Sequence, residues 1–513
     1  MLFNSHIFML LFLPLLLAGW YFLNWKKKFQ LAQGYLIGMS LWFYAYANLQ
    51  YLWLLLFSCL IGWLLSCLPE KIFSEKGKKV LTGVGCVFHL GLLGYFKYSN
   101  FFLENLNTVF HTDFPMLQIL LPVGISFYTF QQLAYLIDRC RGDAPRDSFF
   151  DYLTFMVYFP QLLQGPILLR SEFMGQLKEP ERRRFHAERF SEGIQFFVFG
   201  LAKKVLLADT LAKAVNYGYS NVSMLDSISA LLLAVGYLTE LYFDFSGYCD
   251  MGRGIAHMLG MELPVNFDSP YKASNIIEFW KRWHITLNRF LRKYVYIPLG
   301  GNRKGTTRMY LNLFIVFLVS GIWHGAGWNF VLWGALHGAL YLGTRAWQRR
   351  QPWQLKQQRQ QCAVDVHVQS GTKKSGVLSV VQHVLCVALT FLFLNFTWML
   401  FRSANLSQAG EFIGRLIGGG FAAPAIQIIE AFNLEEFWYV IKILHLDRLP
   451  GSELYLCFGF LAVALWLVFF ARNAGEREKS FEPNGKTMFV TAFLMIWCVV
   501  SLSGVSSFLY YRF

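Results

Sequence analysis

Residues 266–337 read NFDSPYKASNIIEFWKRWHITLNRFLRKYVYIPLGGNRKGTTRMYLNLFIVFLVSGIWHGAGWNFVLWGALH, and two histidines, His284 and His324, stand among their tryptophans and positive charges. His324 follows the nearly apolar run 311–323 and precedes Gly325. A run of this kind predicts a membrane-embedded segment, where an ionisable ring is costly unless it has a task or a partner. The stretch therefore predicts a fold in the bilayer with a histidine at membrane depth.

His284 lies in a segment whose charged and aromatic residues recur with the period of an amphipathic helix. At about 100° per residue from Glu278, the charged residues fall on one third of the circumference, the aromatic residues cover the opposite third, and His284 falls on the seam. We therefore predict one continuous helix at the membrane interface, with its basic face in water and its aromatic face at the acyl boundary. The basic residues of this face are Lys281, Arg282, Arg289, Arg292 and Lys293.

The composition of the whole chain places it among integral membrane proteins. Of its 513 residues, 55% are hydrophobic and only 15% are charged, and several apolar runs reach the ~20 residues that span a bilayer. We predict an all-α polytopic membrane protein with about 10–11 transmembrane helices, together with re-entrant and interfacial helices. The nine cysteines have no CxxC spacing, so neither a metal site nor a disulfide framework is expected.

The net charge of +15 arises from Lys and Arg clusters between the apolar runs. This distribution follows the positive-inside rule, so nucleic acid is not expected as a partner. The rule places the N-terminus outside the cytoplasm, because the first positive cluster follows the first apolar run. The segments predicted to be cytoplasmic are 69–79, 170–189 and the Gln-rich linker 345–376.

The chain reads as a single membrane domain, 1–513, with a core at about 117–344 and C-terminal helices in 377–513. Within the core, 117–169 contains apolar runs broken by Pro and Gly. Such breaks are tolerated where protein or a cavity covers the freed backbone groups. The pattern predicts bent or re-entrant segments that line an interior.

Three further ionisable side chains of the core are interpreted as structural. A helix is predicted at 224–246, with Asp244 capping a helix and Asp250 pairing with Arg253. These carboxylates stand six residues apart and do not share a helical face, which disfavours a joint catalytic role. His337 lies in an apolar helix thirteen residues after His324 and is interpreted as a core histidine.

Histidine has an unperturbed pKa near ~6.5, which suits the removal of a proton from a hydroxyl at neutral pH. We interpret His324 as a catalytic base. For His284, catalysis and simple anchoring of a helix stand as equal alternatives. The basic loop GGNRKG, 300–305, could hold an anion together with the five cations, but ordinary positive-inside charge explains them equally well.

The motifs RWHITL, YIPLGGNRKG and SGIWHGAGWNFVLWG resemble the membrane-bound O-acyltransferase superfamily, specifically its bacterial alginate O-acetylase branch. The runs LPVGISFYTFQQLAYLIDRCRG, FFDYLTFMVYFPQLLQGPI, DFSGYCDMGRG and the ending SSFLYYRF support the resemblance. It implies a ring of helices around a tunnel through the membrane, with His324 as the near-invariant histidine and His284 as the second one. Gln164 and Cys249 depart from residues common in that branch.

The resemblance implies an O-acyltransferase that moves an acyl group, in this branch acetyl, from a cytoplasmic thioester to an outer acceptor. The expected donor is acetyl-CoA or an acyl-carrier phosphopantetheine thioester, with no permanently bound cofactor, and the five cations are expected to hold its phosphates. Expected partners are membrane lipid, a periplasmic esterase-like acetyltransferase and a polysaccharide such as alginate or peptidoglycan. The expected location is the bacterial inner membrane.

Two other functions remain open on the residues. A transporter or channel for polysaccharide or lipid would explain interior polar groups and broken helices. A D-alanyl or lipid-directed acyltransferase would share the superfamily.

Overall fold

The computed structural model describes residues 1–68, 74–350, 377–432, 438–449, 451–502 and 508–509. This part of the chain is helical and contains no β-strand. The helices in chain order are α1 (Phe8–Trp25), α2 (Phe29–Asn48), α3 (Leu49–Cys67), α4 (Glu75–Phe110), α5 (Ile125–Arg141), α6 (Phe149–Val157), α7 (Phe159–Leu162), α8 (Arg170–Lys178), α9 (Ala187–Ala202), α10 (Asp209–Ser220), α11 (Ser227–Met258), α12 (Ile276–Arg282), α13 (Ile285–Leu291), α14 (Thr306–His324), α15 (Trp328–Arg350), α16 (Val377–Arg402), α17 (Leu406–Gly418), α18 (Ile426–Glu430), α19 (Trp438–Ile443), α20 (Ser452–Phe470), α21 (Ala474–Lys479) and α22 (Gly485–Val500).

The prediction of an all-α polytopic membrane protein is confirmed. In the described ranges, seven helices are long and apolar enough to cross a membrane: α1, α3, α4, α11, α14, α16 and α20. The prediction of about 10–11 crossings also counted segments that form shorter helices, among them α9 and α22.

Several polar segments meet at one end of the helices. The turn after α1 contacts the segment that contains α8. That segment also contacts the residues just after α11, and α21 contacts the last part of α11. Loops that share one end of a helix bundle face the same side of the membrane. The contacts are Tyr21 Oη to Met258 O at 2.5 Å, Arg183 Nη1 to Phe29 O at 3.2 Å, Gln176 Nε2 to Glu262 O at 3.1 Å and Arg253 Nη2 to Glu478 Oε2 at 2.7 Å.

This shared end includes 170–189 and the lysine-rich turn after α1, and the positive-inside rule predicts that both lie in the cytoplasm. The two other segments with that assignment, 69–79 and 345–376, fall partly on residues 69–73 and 351–376, which lie outside the described residues.

The helix α11 forms the centre of the fold and packs along α9 through glycines. A Cβ on Gly200 would lie 2.6 Å from the carbonyl oxygen of Gly247, and one on Gly193 would lie 2.7 Å from that of Gly254. Small residues let two helix backbones approach closely in a membrane protein. The glycines of DFSGYCDMGRG therefore bring α9 onto the central helix.

The prediction that this helix ends near residue 246 is wrong, because α11 continues to Met258. The two carboxylates in its second half are neutralised from the neighbouring π-helical turn Lys203–Ala208. Lys204 Nζ lies 2.6 Å from Asp244, and Lys203 Nζ lies 2.6 Å from Asp250. Asp244 is therefore not a helix cap. Paired charges are tolerated in a helix interior, so the polar stretch does not interrupt α11.

The predicted pair between Asp250 and Arg253 is also wrong. Arg253 instead forms an ion pair with Glu478 on α21 at 2.7 Å. The structural interpretation of both aspartates agrees with these contacts, since each carboxylate binds a lysine of the same turn.

Candidate active site

The single amphipathic helix predicted through His284 does not form. Instead, α12 ends before His284, α13 begins after it, and His284 adopts a left-handed conformation with φ of 46°. Asn288 stabilises the break, since its amide donates to the carbonyl oxygens of Trp280 at 2.5 Å and Trp283 at 2.8 Å. Both tryptophans are buried within the protein. The aromatic face therefore packs on other helices, and its predicted place at the acyl boundary is wrong.

Asn266 determines which nitrogen of His284 carries a proton. Its Oδ1 lies 3.2 Å from His284 Nδ1 and accepts from the backbone N–H of Thr286 at 3.2 Å and from its hydroxyl at 2.9 Å. A backbone N–H only donates, so the shared atom is the amide oxygen. Nδ1 therefore donates, and Nε2 carries a lone pair. In the described chain, Nε2 is buried without a hydrogen-bond partner.

His324 is the last residue of α14 and is only 3% exposed. Lys97 Nζ donates to the carbonyl oxygens of Trp323 at 2.7 Å and of His324 at 3.0 Å. The last carbonyls of a helix have no intrahelical partner and carry partial negative charge, so a buried ammonium satisfies them well. Lys97 thereby holds the end of α14 on which His324 stands.

Lys97 was missed by the sequence analysis. It lies on the π-helical turn Gly94–Tyr98 within α4. The only feature of the sequence that could have pointed to it is a single charge at the end of an apolar run. An intramembrane ionisable residue is by default a functional candidate, and π-helical turns are frequent at functional sites.

The glycines near His324 allow a second helix of the protein to pack closely against α14. A Cβ on Gly321 would overlap the carbonyl oxygen of Phe330, and one on Gly334 would lie 2.5 Å from that of Phe317. The helices α14 and α15 therefore cross with their backbones in contact. This crossing places the Trp333 ring 5.3 Å from the ring of His324.

Three histidines share one aromatic cluster. The Trp323 ring lies 4.9 Å from that of His324 and 6.2 Å from that of His284, so one indole separates the two predicted catalytic residues. His337 contacts the Trp333 ring at 4.6 Å and forms a hydrogen bond between Nε2 and the hydroxyl of Thr397 at 3.0 Å. That partner agrees with a structural role for His337.

A cavity of about 40 Å³ lies beside His324 and Lys97. Its wall includes residues 121–127, whose first part belongs to the non-helical segment between α4 and α5. The helix α4 runs from Glu75 to Phe110, and this segment follows its end. A space of this size holds small groups such as water or an acetyl group.

Three of the five cations predicted to bind a donor are paired with carboxylates of the protein. Lys281 and Arg292, by contrast, are exposed. An exposed and unpaired cation keeps more of its field for a phosphate than a neutralised one does. The pairs are Arg282 with Glu278 at 2.6 Å, Arg289 with Glu172, and Lys293 with Asp138 at 2.8 Å.

The two departures from the resembled branch lie near this site. The Cys249 thiol accepts from Asn266 Nδ2 at 3.4 Å, so it contacts the residue that orients His284. Gln164 is buried next to Leu163, which lines the cavity, and its amide has no hydrogen-bond partner in the described part of the chain. Within the same residues, no three His, Cys, Asp or Glu side chains converge as a metal site.

Comparison with known proteins extends these observations. The family model described as MBOAT, membrane-bound O-acyltransferase family, matches residues 143–381, which include both predicted catalytic histidines. A Helicobacter pylori protein named "Peptidoglycan O-acetyltransferase" is 36% identical over 82% of this chain and 80% of its own length. A Pseudomonas putida protein named "Probable alginate O-acetylase AlgI" is 36% identical over 82% of this chain and 81% of its own length.

A more distant similarity concerns a different acyl group. A Streptococcus thermophilus protein named "Teichoic acid D-alanyltransferase" is 25% identical over 54% of this chain and 69% of its own length.

Proposed function

This chain belongs to the membrane-bound O-acyltransferase family, and from that premise we propose that it transfers an acetyl group to a cell-surface polysaccharide. It is a multi-pass membrane O-acyltransferase. The observation that carries the finer proposal is the cavity of about 40 Å³ beside His324, which suits an acetyl group. The more similar relatives are named for O-acetyl transfer, and the D-alanyltransferase is more distant.

The proposed donor is acetyl-CoA or a carrier phosphopantetheine thioester from the cytoplasm. The proposed acceptor is alginate, peptidoglycan or a similar polymer, reached through a periplasmic acetyltransferase. The proposed location is the bacterial inner membrane. The positions of the two histidines support this arrangement. His284 lies near the charged segments 170–189 and 281–293, on the side proposed for the donor. His324 lies beside the cavity, on the other side of the Trp323 ring.

The reaction needs one proton to move away from the acceptor hydroxyl and later to reach the departing sulfur. In the direct route, His324 takes the proton while the hydroxyl oxygen attacks the thioester carbon. The C–S bond then breaks, and the imidazolium returns the proton to the thiolate. In the alternative route, a ring nitrogen of His324 attacks the thioester carbon, and the C–S bond breaks to release the thiolate. The acceptor hydroxyl then attacks the acetyl-imidazole, the C–N bond breaks, and the hydroxyl proton is taken up as the imidazole and the thiol are restored. Burial among aromatic rings keeps water away from the thioester in both routes.

The proposal is tested with purified protein in lipid vesicles and acetyl-CoA labelled in the acetyl group. Label is expected on the acceptor polysaccharide or on the periplasmic acetyltransferase. Transfer of D-alanine or of a long acyl chain with equal efficiency would contradict the choice of acetyl. Passage of polysaccharide through the vesicle membrane without transfer of label would favour a transporter.

The first prediction concerns orientation. We expect the end that carries 170–189 to face the cytoplasm, because Lys and Arg concentrate there. Alkaline phosphatase fused at about residue 360 is expected to be inactive, and fusion in the segment 112–118 after α4 is expected to be active. An active enzyme at residue 360 would contradict the proposed orientation.

The second prediction concerns the donor. Reversing the charge of Lys281 or Arg292 is expected to raise the donor KM about threefold to tenfold, more at low than at high salt, because both cations are exposed and screened by ions. Initial rates at two ionic strengths provide the measurement. Arg184→Glu serves as the control, since this exposed cation at the same end is already paired with Glu181 at 3.0 Å. Equal effects of salt on all three variants would show that the charges serve only orientation.

The third prediction concerns His284. Replacing His284 with Gln is expected to lower kcat about 10-fold to 10²-fold, because the basic lone pair of Nε2 is lost. Asn266→Asp keeps an acceptor for Nδ1 and is expected to retain more activity than Asn266→Leu, which removes it. Unchanged kcat in His284→Gln at equal expression would favour the anchoring role.

A further inference from the structure

A second and much larger cavity lies away from the two catalytic histidines. Its volume is about 680 Å³, and it is lined by α9, α11, α20 and α22 together with residues around α21. Among the described residues, none that lines it belongs to the aromatic cluster around His324. The reaction proposed above makes no use of this space.

Most of the cavity wall is apolar and comes from membrane helices. The side chains are long aliphatic or aromatic groups, and their arrangement between helices offers a slot for flexible hydrocarbon. The apolar lining residues include Phe196, Phe199, Leu206, Phe460, Val463 and Leu494.

Cations lie together at one side of this wall. Lys203 is neutralised by Asp250 at 2.6 Å, but Arg472 and Arg477 form no ion pair in the described part of the chain. The Arg477 guanidinium stacks 4.1 Å from the Phe199 ring, and its Nε donates to the carbonyl oxygen of Arg472. The cavity therefore combines an apolar body with two unneutralised positive charges.

Partial burial makes Arg477 a favourable place for an anion, and Arg472, which is exposed, lies beside it. Removal from water lowers the pKa of the Arg477 guanidinium, with Asp250 acting in the opposite direction. A phosphate at this position would restore the lost solvation through charge-assisted hydrogen bonds, which Arg forms in a bidentate geometry.

The depth of the arginines fits a lipid headgroup. Both lie at or beside α21, at the end of the molecule where the polar segments meet. The helices α20 and α22 extend from there into the membrane region, so a lipid with its phosphate at α21 would place its chains along the apolar wall.

We propose that this cavity binds an anionic phospholipid, with the phosphate held by Arg472 and Arg477 and the acyl chains lying between α9, α11, α20 and α22. Coenzyme A is the weaker match, because its adenosine and pantetheine are polar and the lining is mostly hydrocarbon. The cavity also touches Asn473, whose amide donates to Asp268 at 2.8 Å and to the Ser269 hydroxyl at 2.9 Å. A lipid here would therefore stabilise the loop after Asn266, which precedes α12 and His284.

The test measures the melting midpoint of the full-length protein, purified in a neutral detergent, after addition of phosphatidylglycerol or phosphatidylcholine. Phosphatidylglycerol is expected to raise the midpoint by about 2–4 °C more than phosphatidylcholine does. The double variant Arg472→Gln/Arg477→Gln is expected to lose this difference. The matched control Lys26→Gln/Lys28→Gln removes two exposed cations at the same end and is expected to keep it.

A second variant tests the apolar part of the cavity. Gly459 lines it, and a Cβ there meets no atom within 4 Å, so Gly459→Leu adds bulk to the space without a clash. This variant is expected to fold and to show a smaller phosphatidylglycerol effect. Equal stabilisation by the two lipids in the wild-type protein, or an undiminished effect in both variants, would overturn the proposal. Stabilisation by coenzyme A that depends on the two arginines would overturn the choice of a lipid. None of these measurements requires acyl transfer. The lipid-binding proposal can therefore be judged even if the proposed function proves wrong.

Discussion

Replacing His324 with glutamine is expected to reduce acyl transfer by ~10²–10⁴-fold, the usual cost of losing a general base. Glutamine retains hydrogen-bonding groups of similar size but neither accepts a proton at neutral pH nor carries an acetyl group. The side chain stands beside a small cavity and near Lys97. The measurement is transfer of labelled acetyl groups at matched expression, with size-exclusion profiles to verify folding.

His337→Gln is the matched control for this experiment. His337 lies in the same aromatic cluster and is equally buried. Its Nε2 donates to the hydroxyl of Thr397, whose own proton goes to the carbonyl oxygen of Leu394. We expect this variant to retain activity within about 10-fold of wild type, since it loses a structural contact and no reacting group. Near-normal transfer by His324→Gln would show that His324 is structural.

Replacing Lys97 with methionine is expected to lower kcat about 10²-fold with a smaller change in KM. The substitution leaves the carbonyl oxygens of Trp323 and His324 without their shared donor in a buried setting, and each charge-assisted hydrogen bond is worth about 1.5–3 kcal/mol. The end of α14 is then free to shift, and a displacement of about 1 Å at a reacting group typically costs ~10²-fold in rate. Lys97→Arg is expected to recover part of the activity.

Lys272→Met separates this positioning role from general destabilisation. Lys272 Nζ also donates to a carbonyl oxygen at a helix end, that of Ala471 at 3.3 Å, but it does not line the cavity beside His324. Both methionine variants are expected to lower the melting midpoint, and only Lys97→Met is expected to lower kcat strongly. Equal losses of kcat in the two variants would contradict the positioning role of Lys97.

Much of the fold class and of the candidate site was predictable from local patterns. Apolar runs of bilayer length directly indicate membrane helices, because no water is present to satisfy exposed backbone groups. His324 was recognisable because an ionisable ring after an apolar run is rare. The motifs around both histidines indicated the family, which the comparisons confirmed.

Periodicity failed at His284 because it assumes an unbroken helix. The break depends on Asn288 satisfying carbonyls at the end of α12 and on Asn266 binding the ring from 18 residues earlier. Both contacts offset the energetic cost of the left-handed backbone of His284. The helical pattern of 276–293 does not predict either of them.

The sequence by itself determined that this protein is an α-helical membrane acyltransferase and singled out His284 and His324. Composition, the length of apolar runs and short motifs can all be read from residues that are neighbours in the chain. Only the tertiary structure decided the partners of the buried charges: Lys203 and Lys204 on the carboxylates of α11, and Lys97 on the end of α14. The physical reason is that a buried charge must be neutralised or hydrogen-bonded wherever the fold brings a partner, and the partner of Lys97 stands 227 residues away in the chain.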